Sequence, residues 1–178
     1  MKIFLSIILN VMMILLISCD SIKIKTYHNE QYNFSIDLPE DWEIKEPDDP
    51  HGLMVTLSEP VSQSNQKKES SEIKVMVFDS WDIASNDLDR LVGAYSKDAT
   101  IDSVLSVSNF NGNLGKGRLM HCTVQDFEKR YIEDRFLFIE NSLLILLYAR
   151  CEESDYVNQS LTFKDIAESM KFRQSQYW

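Results

Sequence analysis

Leu-Leu-Ile-Leu-Leu-Tyr-Ala, at residues 143–149, is the stretch that decides the fold. It contains no charged residue, so a strand formed by it is apolar on both faces. Such strands lie in the middle of a sheet that is covered on each side. Three further strands are predicted before it, at 101–110, 114–127 and 130–140. Asn111-Gly112 and Asn141-Ser142 are predicted as tight turns of this run. We therefore predict a four-stranded antiparallel meander that ends in a central strand.

The rest of the chain adds alternating strands and two amphipathic helices. Apolar and polar residues alternate, as in half-buried strands, at 32–38, 53–57 and 73–77. The spacing of apolar residues becomes that of an amphipathic helix at 85–99, where Ser85 or Asn86 is the predicted N-cap. A last helix is predicted to begin at Thr162, which with Asp165 approximates a capping box. This order of elements predicts a single α+β domain.

The composition excludes several classes of protein. The 178 residues include 18 Lys and Arg against 28 Asp and Glu, so the net charge is −10 and the pI is near 4.7. Such a chain lacks the clustered basic residues on which nucleic-acid binding depends. Five Gly and four Pro are too few for a collagen-like or low-complexity chain. Three Cys are too few for a disulfide scaffold.

The N-terminus has the features of a secretory signal peptide. Lys2 provides a positive charge, and the nearly apolar stretch 3–17 is shorter than the roughly 20 residues of a membrane-spanning helix. Leu-Ile-Ser-Cys at 16–19 resembles the bacterial lipobox, which implies cleavage after Ser18 and acylation of Cys19. An ordinary signal peptide with an incidental cysteine, or a short uncleaved anchor, is the alternative. We assign 1–18 to a lipoprotein signal peptide, 19–26 to a lipidated tether, 27–173 to a single domain and 174–178 to a tail.

Two segments of the predicted domain resemble the Mog1/PsbP-like family, which includes PsbP and DcrB-type proteins. The first has the pattern Tyr-x-Phe-x-Ile-x-x-Pro-x-x-Trp, at Tyr32, Phe34, Ile36, Pro39 and Trp42; the second is Ser-Met-Lys-Phe at 169–172. The resemblance implies an α/β/α sandwich, in which one antiparallel sheet lies between helices. Because the matching residues are core and turn positions, it informs the fold and the binding class only.

The predicted function is a non-enzymatic, membrane-anchored envelope lipoprotein that binds another protein in an accessory, assembly or immunity-type role. Acyl chains on Cys19 would bind the lipid bilayer of a bacterial cell envelope, with the domain on the periplasmic or extracellular side. The acidic surface suits a basic protein partner. No cofactor and no nucleic acid are expected. A small-ligand or metal binder, or an envelope hydrolase with an unrecognised site, is the alternative.

The sequence carries no recognisable catalytic motif, so no catalytic residue is assigned. The three histidines, His28, His51 and His121, lie far apart and lack spaced partner ligands. The glycines at 112, 115 and 117 fit a hairpin better than a phosphate loop, because no helix follows them. Weak candidates for a metal site are the carboxylates of two acidic loops, Asp48, Asp49, Glu152, Glu153 and Asp155.

Two cysteines lie in the predicted meander. The expected turns place Cys122 opposite 135 and Cys151 opposite 132, on either side of one strand. Their side chains then point to opposite faces of the sheet and lie two strand spacings apart. We therefore predict that they do not form a disulfide.

Overall fold

The computed structural model describes residues 23–47, 53–60, 70–79, 87–126, 129–140 and 142–173. These residues form two antiparallel sheets and two α-helices. The strands are β1 (Ile24–Asn29), β2 (Phe34–Pro39), β3 (Glu43–Lys45), β4 (Leu53–Ser58), β5 (Glu72–Asp79), β6 (Ile101–Gly112), β7 (Gly115–Asp126), β8 (Lys129–Glu140), β9 (Leu143–Glu152) and β10 (Lys171–Phe172); the helices are α1 (Leu88–Tyr95) and α2 (Tyr156–Ser169). The predicted α+β class is confirmed.

The larger sheet has seven strands in the order β3-β4-β5-β9-β8-β7-β6. Strands β6 to β9 form the predicted meander, and β9, which contains 143–149, pairs with β5 on one side and β8 on the other. Ile145 and Leu147 lie in a hydrophobic cluster on one face, and Leu144 and Leu146 lie in a second cluster on the opposite face. The prediction that this strand is central and apolar on both faces is confirmed.

Different elements cover the two faces of the large sheet. On one face, Leu91 and Val92 of α1 pack against Met120 and Leu137 of the sheet. The opposite face carries α2 and a small sheet with the order β1-β2-β10. Its core contains four completely buried phenylalanines, Phe34, Phe136, Phe138 and Phe163. The sheet therefore lies between helical layers, as the α/β/α expectation requires.

The two segments that resemble the Mog1/PsbP-like family meet in the small sheet. Lys171 pairs with Ser35, and Phe172 pairs with Phe34, so the end of the domain closes onto its first predicted strand. Strand β1 lies on the other side of β2 and starts with the pair Ile24 and Pro39. Residues 24–26 therefore belong to a strand, although they lie within the predicted tether. The sequence pattern did not indicate β1, because pairing with β2, and not an apolar alternation of its own, holds this strand in place.

A helix within the predicted range 85–99 is confirmed; it is shorter, Leu88–Tyr95, and its N-cap differs from those predicted. The carboxylate of Asp87 accepts hydrogen bonds from the backbone N–H groups of Asp89 and Arg90, so Asp87 is the N-cap of α1. The predicted caps, Ser85 and Asn86, lie outside the described residues.

The start of the last helix was predicted wrongly. Helix α2 begins at Tyr156, directly after a short 3-10 turn at Glu153–Asp155, and Thr162 lies inside it. Its first half lacks a buried apolar stripe: Val157 and Leu161 are exposed, and the buried residues begin at Phe163. The sequence pattern therefore indicated only the half of the helix that packs into the core.

The β6–β7 hairpin is confirmed, but its turn residues are not those predicted. The chain turns at Asn113 and Leu114, and Gly115 follows with a φ of 103°, in the left-handed region that favours glycine. Asn111 and Gly112 remain in β6. Gly117 lies so close to β8 that an added Cβ would be 2.6 Å from the carbonyl oxygen of Leu137.

The cysteines flank β8 as predicted, with one difference in register. Cys151 pairs with Ile132, as expected, but Cys122 pairs with Glu133 and not with 135. Asp126 pairs with Lys129, whereas the expected turn lay between Phe127 and Arg130, and this difference shifts the register by two. The two side chains still point to opposite faces of the sheet.

Candidate functional site

The acidic candidates that the structure describes are not brought together as a metal site. Cys19, Asp48 and Asp49 lie outside the described residues. Glu152 ends β9 and lies 3.3 Å from Nζ of Lys129, and Glu153 follows in the 3-10 turn. Within the described part of the chain, no three His, Cys, Asp or Glu side chains are arranged to hold a metal ion.

A groove lies between α2 and the strands β1 and β2. Leu38 and Ile166 form its buried apolar floor, and Pro39 and Ile24 line its strand side. Its volume is about 190 Å³, whereas pockets for small organic ligands occupy about 300–1,000 Å³. The groove therefore has room for one or two side chains of another protein, and less than a typical small-molecule site needs.

Polar side chains fix the shape of the groove. Oγ of Ser169 accepts a hydrogen bond from the backbone N–H of Asp37 at 2.9 Å and donates to the carbonyl oxygen of Ile166 at 2.7 Å. The first of these bonds connects the last turn of α2 to β2, and the second lies within α2. The hydroxyl of Thr26 donates to Oδ1 of Asp37 at 2.6 Å. The groove is thus built by contacts between elements that are far apart in sequence.

Two carboxylates give the groove an acidic character. Asp37 and Asp165 both line it. Neither forms an ion pair with a basic side chain of the described residues. Because these carboxylates lie beside apolar walls, a cationic group with an aliphatic stem is complementary to the groove.

Three large apolar side chains are exposed at or near the groove. Ile24 is 67% exposed and lines it; Leu161, which precedes Thr162 of the groove wall, is 70% exposed. Val157, one helical turn before Leu161, is 82% exposed and lies on the same side of α2. An apolar patch of this kind is typical of a protein-binding surface. We call the groove together with Ile24, Val157 and Leu161 the α2 groove surface.

A separate polar cluster joins β7, β8 and α2. Nδ1 of His121 lies 2.7 Å from Oδ1 of Asp134, and the hydroxyl of Tyr156 donates to Oδ2 of Asp134 at 3.0 Å. The rings of His121 and Tyr156 are 4.7 Å apart. Burial raises the pKa of the Asp134 carboxyl, and burial together with the nearby Asp134 raises the pKa of Tyr156.

The cluster connects α2 to the large sheet. His121 of β7 and Tyr156 of α2 both contact the carboxylate of Asp134 in β8, whose side chain is only 4% exposed. Hydrogen bonds of this kind compensate a buried polar group for its lost hydration.

The sequence pattern indicated neither the groove nor the His121–Asp134 cluster. The expected β7–β8 register places His121 opposite 136, and only the observed register places it opposite Asp134. The groove depends on β1, which was not predicted, whereas its helix residues lie in the predicted part of α2. The exposed Val157 and Leu161 beside it belong to the first half of α2, which was not predicted. A polar residue on the buried face of each of two paired strands is the signal that could have indicated the cluster.

Comparisons with known proteins identify the fold. No protein-family model and no curated protein sequence matches the chain. Cyanobacterial PsbP (CyanoP) from Synechocystis is similar in structure, with a TM-score of 0.62 and 10% identity, and the match covers 88% of this chain and 98% of that protein. The domain has the Mog1/PsbP-like fold.

Two further solved structures have the same Mog1/PsbP-like architecture. LpqN, involved in cell envelope biogenesis of Mycobacterium tuberculosis, matches with a TM-score of 0.57, 10% identity and coverage of 85% of this chain and 91% of LpqN. The Ran-binding protein Mog1p of Saccharomyces cerevisiae matches with a TM-score of 0.56, 7% identity and coverage of 85% and 96%. At these identities the similarity establishes the fold alone.

Among the described residues, neither helix has the length and hydropathy needed to cross a bilayer.

Proposed function

We propose that this protein is a lipid-anchored, non-enzymatic protein of the bacterial cell envelope that binds another protein. The observation that carries the proposal is the α2 groove surface, an acidic apolar groove with exposed apolar side chains beside it. Its small volume favours the side chains of a protein partner over a small-molecule ligand. An envelope protein, LpqN, and a protein that binds a protein, Mog1p, share the fold, which supports this class of function.

The expected partner presents a basic segment. A Lys or Arg side chain in the groove would pack its aliphatic stem on Leu38 and Ile166 and bring its cation to Asp37 and Asp165. The net charge of −10 would also steer a basic partner towards the domain. An acidic partner would be repelled by the same charges.

The anchor would hold the groove near a membrane. An extended chain spans about 3.5 Å per residue, so the five steps from Cys19 to Ile24 cover about 18 Å at most. Since Ile24 lines the groove, acylation of Cys19 would keep the binding surface close to the lipid headgroups. The partner is therefore expected in the membrane or at its surface.

Metabolic labelling tests the anchor. Cells producing the full chain are labelled with palmitate, and the same is done with Cys19→Ser. We expect label and membrane association for the natural chain and neither for the variant, because the thiol is the acylated group. Equal labelling of both chains would contradict the proposed anchor.

Site-specific photo-crosslinking tests the binding surface. A benzophenone amino acid replaces Leu161 in one variant and Lys97, an exposed residue after α1, in the control. We expect an adduct with a distinct protein from position 161 that is absent from position 97. The yield of this adduct should fall several-fold when Asp165→Lys is added, because a basic partner is then repelled. If position 161 gives no adduct, or gives the same adducts as position 97, this surface does not bind the partner.

A further inference from the structure

The two edges of the large sheet differ in how they are protected. One edge strand, β3, has three residues, and Glu43 and Lys45 flank the single apolar residue Ile44. Short edge strands and charged side chains are the means by which proteins prevent unwanted pairing at a sheet edge. The β3 edge therefore has the protection expected of a domain that does not pair there.

The opposite edge lacks these charges. Strand β6 has twelve residues, and no described strand lies beyond it. Residues 103–115 include no Asp, Glu, Lys, Arg, His or Pro, in a chain of which 26% is charged. Val104, Leu105 and Val107 of this strand are exposed. In an edge strand, every second residue directs its N–H and C=O groups away from the sheet.

Irregularities confine the regular part of this edge to its second half. The register of β6 against β7 shifts between Ile101 and Ser103 and again between Val104 and Ser106. From 106 to 112 the pairing is continuous. This part offers seven residues, about 23 Å of strand, for pairing on its outer side.

We infer that β6 pairs antiparallel with β6 of a second copy of this chain and joins the two large sheets into one. All neighbouring strands of the sheet are antiparallel. A two-fold axis through the edge continues that pattern, since it pairs a strand with itself in the antiparallel direction. The outward N–H and C=O groups of each copy then bond those of the other.

The charge distribution favours contact between two copies at this edge over contact elsewhere on the surface. Two chains with a net charge of −10 each repel one another, and the repulsion is weakest where neither contributes charged side chains. The 103–115 segment meets that condition. In the adjacent strand, Arg118 is already ion-paired with Asp89 at 2.8 Å.

The expected β6–β6 interface is small, so it needs a high local concentration of the protein to form. Seven residues along one edge bury less than the roughly 800 Å² per partner of a standard interface. This inference rests on the proposed anchor, because confinement of copies on one membrane raises their effective concentration. The dimer is therefore expected on membranes and not in dilute solution.

Cysteine crosslinking in native membranes tests the pairing on the full-length chain. Single cysteines replace four exposed residues, Val107, Ser108, Asn109 and Asn111. Val157→Cys is the matched control, since it is an exposed valine on α2. After mild oxidation we expect a band of twice the mass from the β6 positions, strongest at the position on the two-fold axis, and no such band from Val157→Cys. Cys122 and Cys151 are buried and remain in all variants.

A lysine introduced into β6 provides a second test, because like charges on the two copies should prevent the pairing. Val107→Lys, added to the best crosslinking variant among positions 108, 109 and 111, should reduce the dimer band at least ten-fold, whereas Val157→Lys should leave it unchanged. Absence of a dimer band in membranes that contain the protein overturns the inference, as does an adduct with a different protein only. Absence of the protein from the membrane fraction contradicts the proposed anchor instead, so the two failures are distinguishable.

Discussion

Nδ1 of His121 lies 2.7 Å from Oδ1 of Asp134, in a cross-strand pair on the face of the large sheet that α2 covers. The side chain of Asp134 is only 4% exposed, and Tyr156 of α2 completes its hydrogen bonds. A buried carboxylate of this kind is stabilised by its partners and destabilised by lost hydration. The two effects together make the stability of the domain depend on pH.

We expect Asp134→Asn to gain stability relative to the natural chain as the pH rises from about 3.5 to 7. Burial raises the pKa of Asp134, against the opposing effect of its hydrogen bonds from His121. A carboxyl whose pKa is raised in the folded state contributes stability below its unfolded pKa of about 3.9, and that contribution is lost as the pH rises through the folded pKa. The asparagine stays neutral over this range.

Urea unfolding of both proteins at several pH values measures the effect. Each unit of pKa difference corresponds to about 1.4 kcal/mol in the free energy of unfolding. Asp165→Asn, at an exposed position, controls for the loss of one negative charge. The free energy of unfolding of Asp134→Asn minus that of the natural chain should rise with pH. A value that is constant or falls with rising pH would contradict the prediction.

Arg135→Met should destabilise the domain by about 3–5 kcal/mol. Nε of Arg135 donates to Oε1 of Glu133 at 2.5 Å, and the two side chains are only 5% and 10% exposed. Removal of the guanidinium leaves a buried carboxylate without its main partner, which is far more costly than loss of the pair as a whole. Asp98 loses the same partner, at 3.0 Å.

Chemical denaturation compares this variant with Arg118→Met. Arg118 pairs with Asp89 on the surface, and the exposed pair should contribute much less because water screens it. Equal losses of stability in the two variants would show that burial does not set the strength of the Arg135 pair.

Periodicity predicted the parts of the fold that depend on local pattern. The two-sided apolar stretch at 143–149 correctly indicated a central strand, and the stripe formed by Leu88, Leu91 and Val92 correctly indicated α1. Both signals come from residues that pack on the sheet itself. Burial of every second residue, or every third and fourth, leaves a pattern that can be recognised in one sequence.

The α2 groove surface could not be predicted in this way, because β1 and the first half of α2 bury too few residues to leave a regular apolar pattern. Strand β1 is formed by its register with β2, and Val157 and Leu161 belong to a half-helix that faces away from the core. The His121–Asp134 pair requires the observed β7–β8 register, in which Asp126 pairs with Lys129, and is lost in the expected register. An error of one residue in a turn hides such a pair.

Gly117→Ala should destabilise the domain by about 2 kcal/mol. An added Cβ would lie 2.6 Å from the carbonyl oxygen of Leu137 and 2.8 Å from the ring of Phe138. The backbone of β8 cannot move away without disturbing its pairing with β9, so the overpacking costs about 1–3 kcal/mol.

Gly93→Ala is the matched control: it makes the same substitution and is expected to raise the stability of the domain. Gly93 lies in α1, and nothing is within 4 Å of an added Cβ. Alanine is about 1 kcal/mol more favourable than glycine inside a helix, so this variant should be more stable than the natural chain. Thermal unfolding of the two variants should shift the midpoint in opposite directions; a shift in the same direction contradicts the packing described at Gly117.

Cys122 and Cys151 should both remain thiols in the folded protein. They lie on strands to either side of β8, paired with Glu133 and Ile132. Two strand spacings are about 9.5 Å, beyond the roughly 7 Å between Cα atoms that a disulfide allows. Burial also raises the pKa of the Cys122 thiol to about 12, so its reactive thiolate is scarce at pH 8. Titration of the unreduced Cys19→Ser chain should detect two thiols after unfolding and no reaction of Cys122 before it. Detection of none after unfolding, with a monomer on a nonreducing gel, would require a strand order in which β7 and β9 are neighbours.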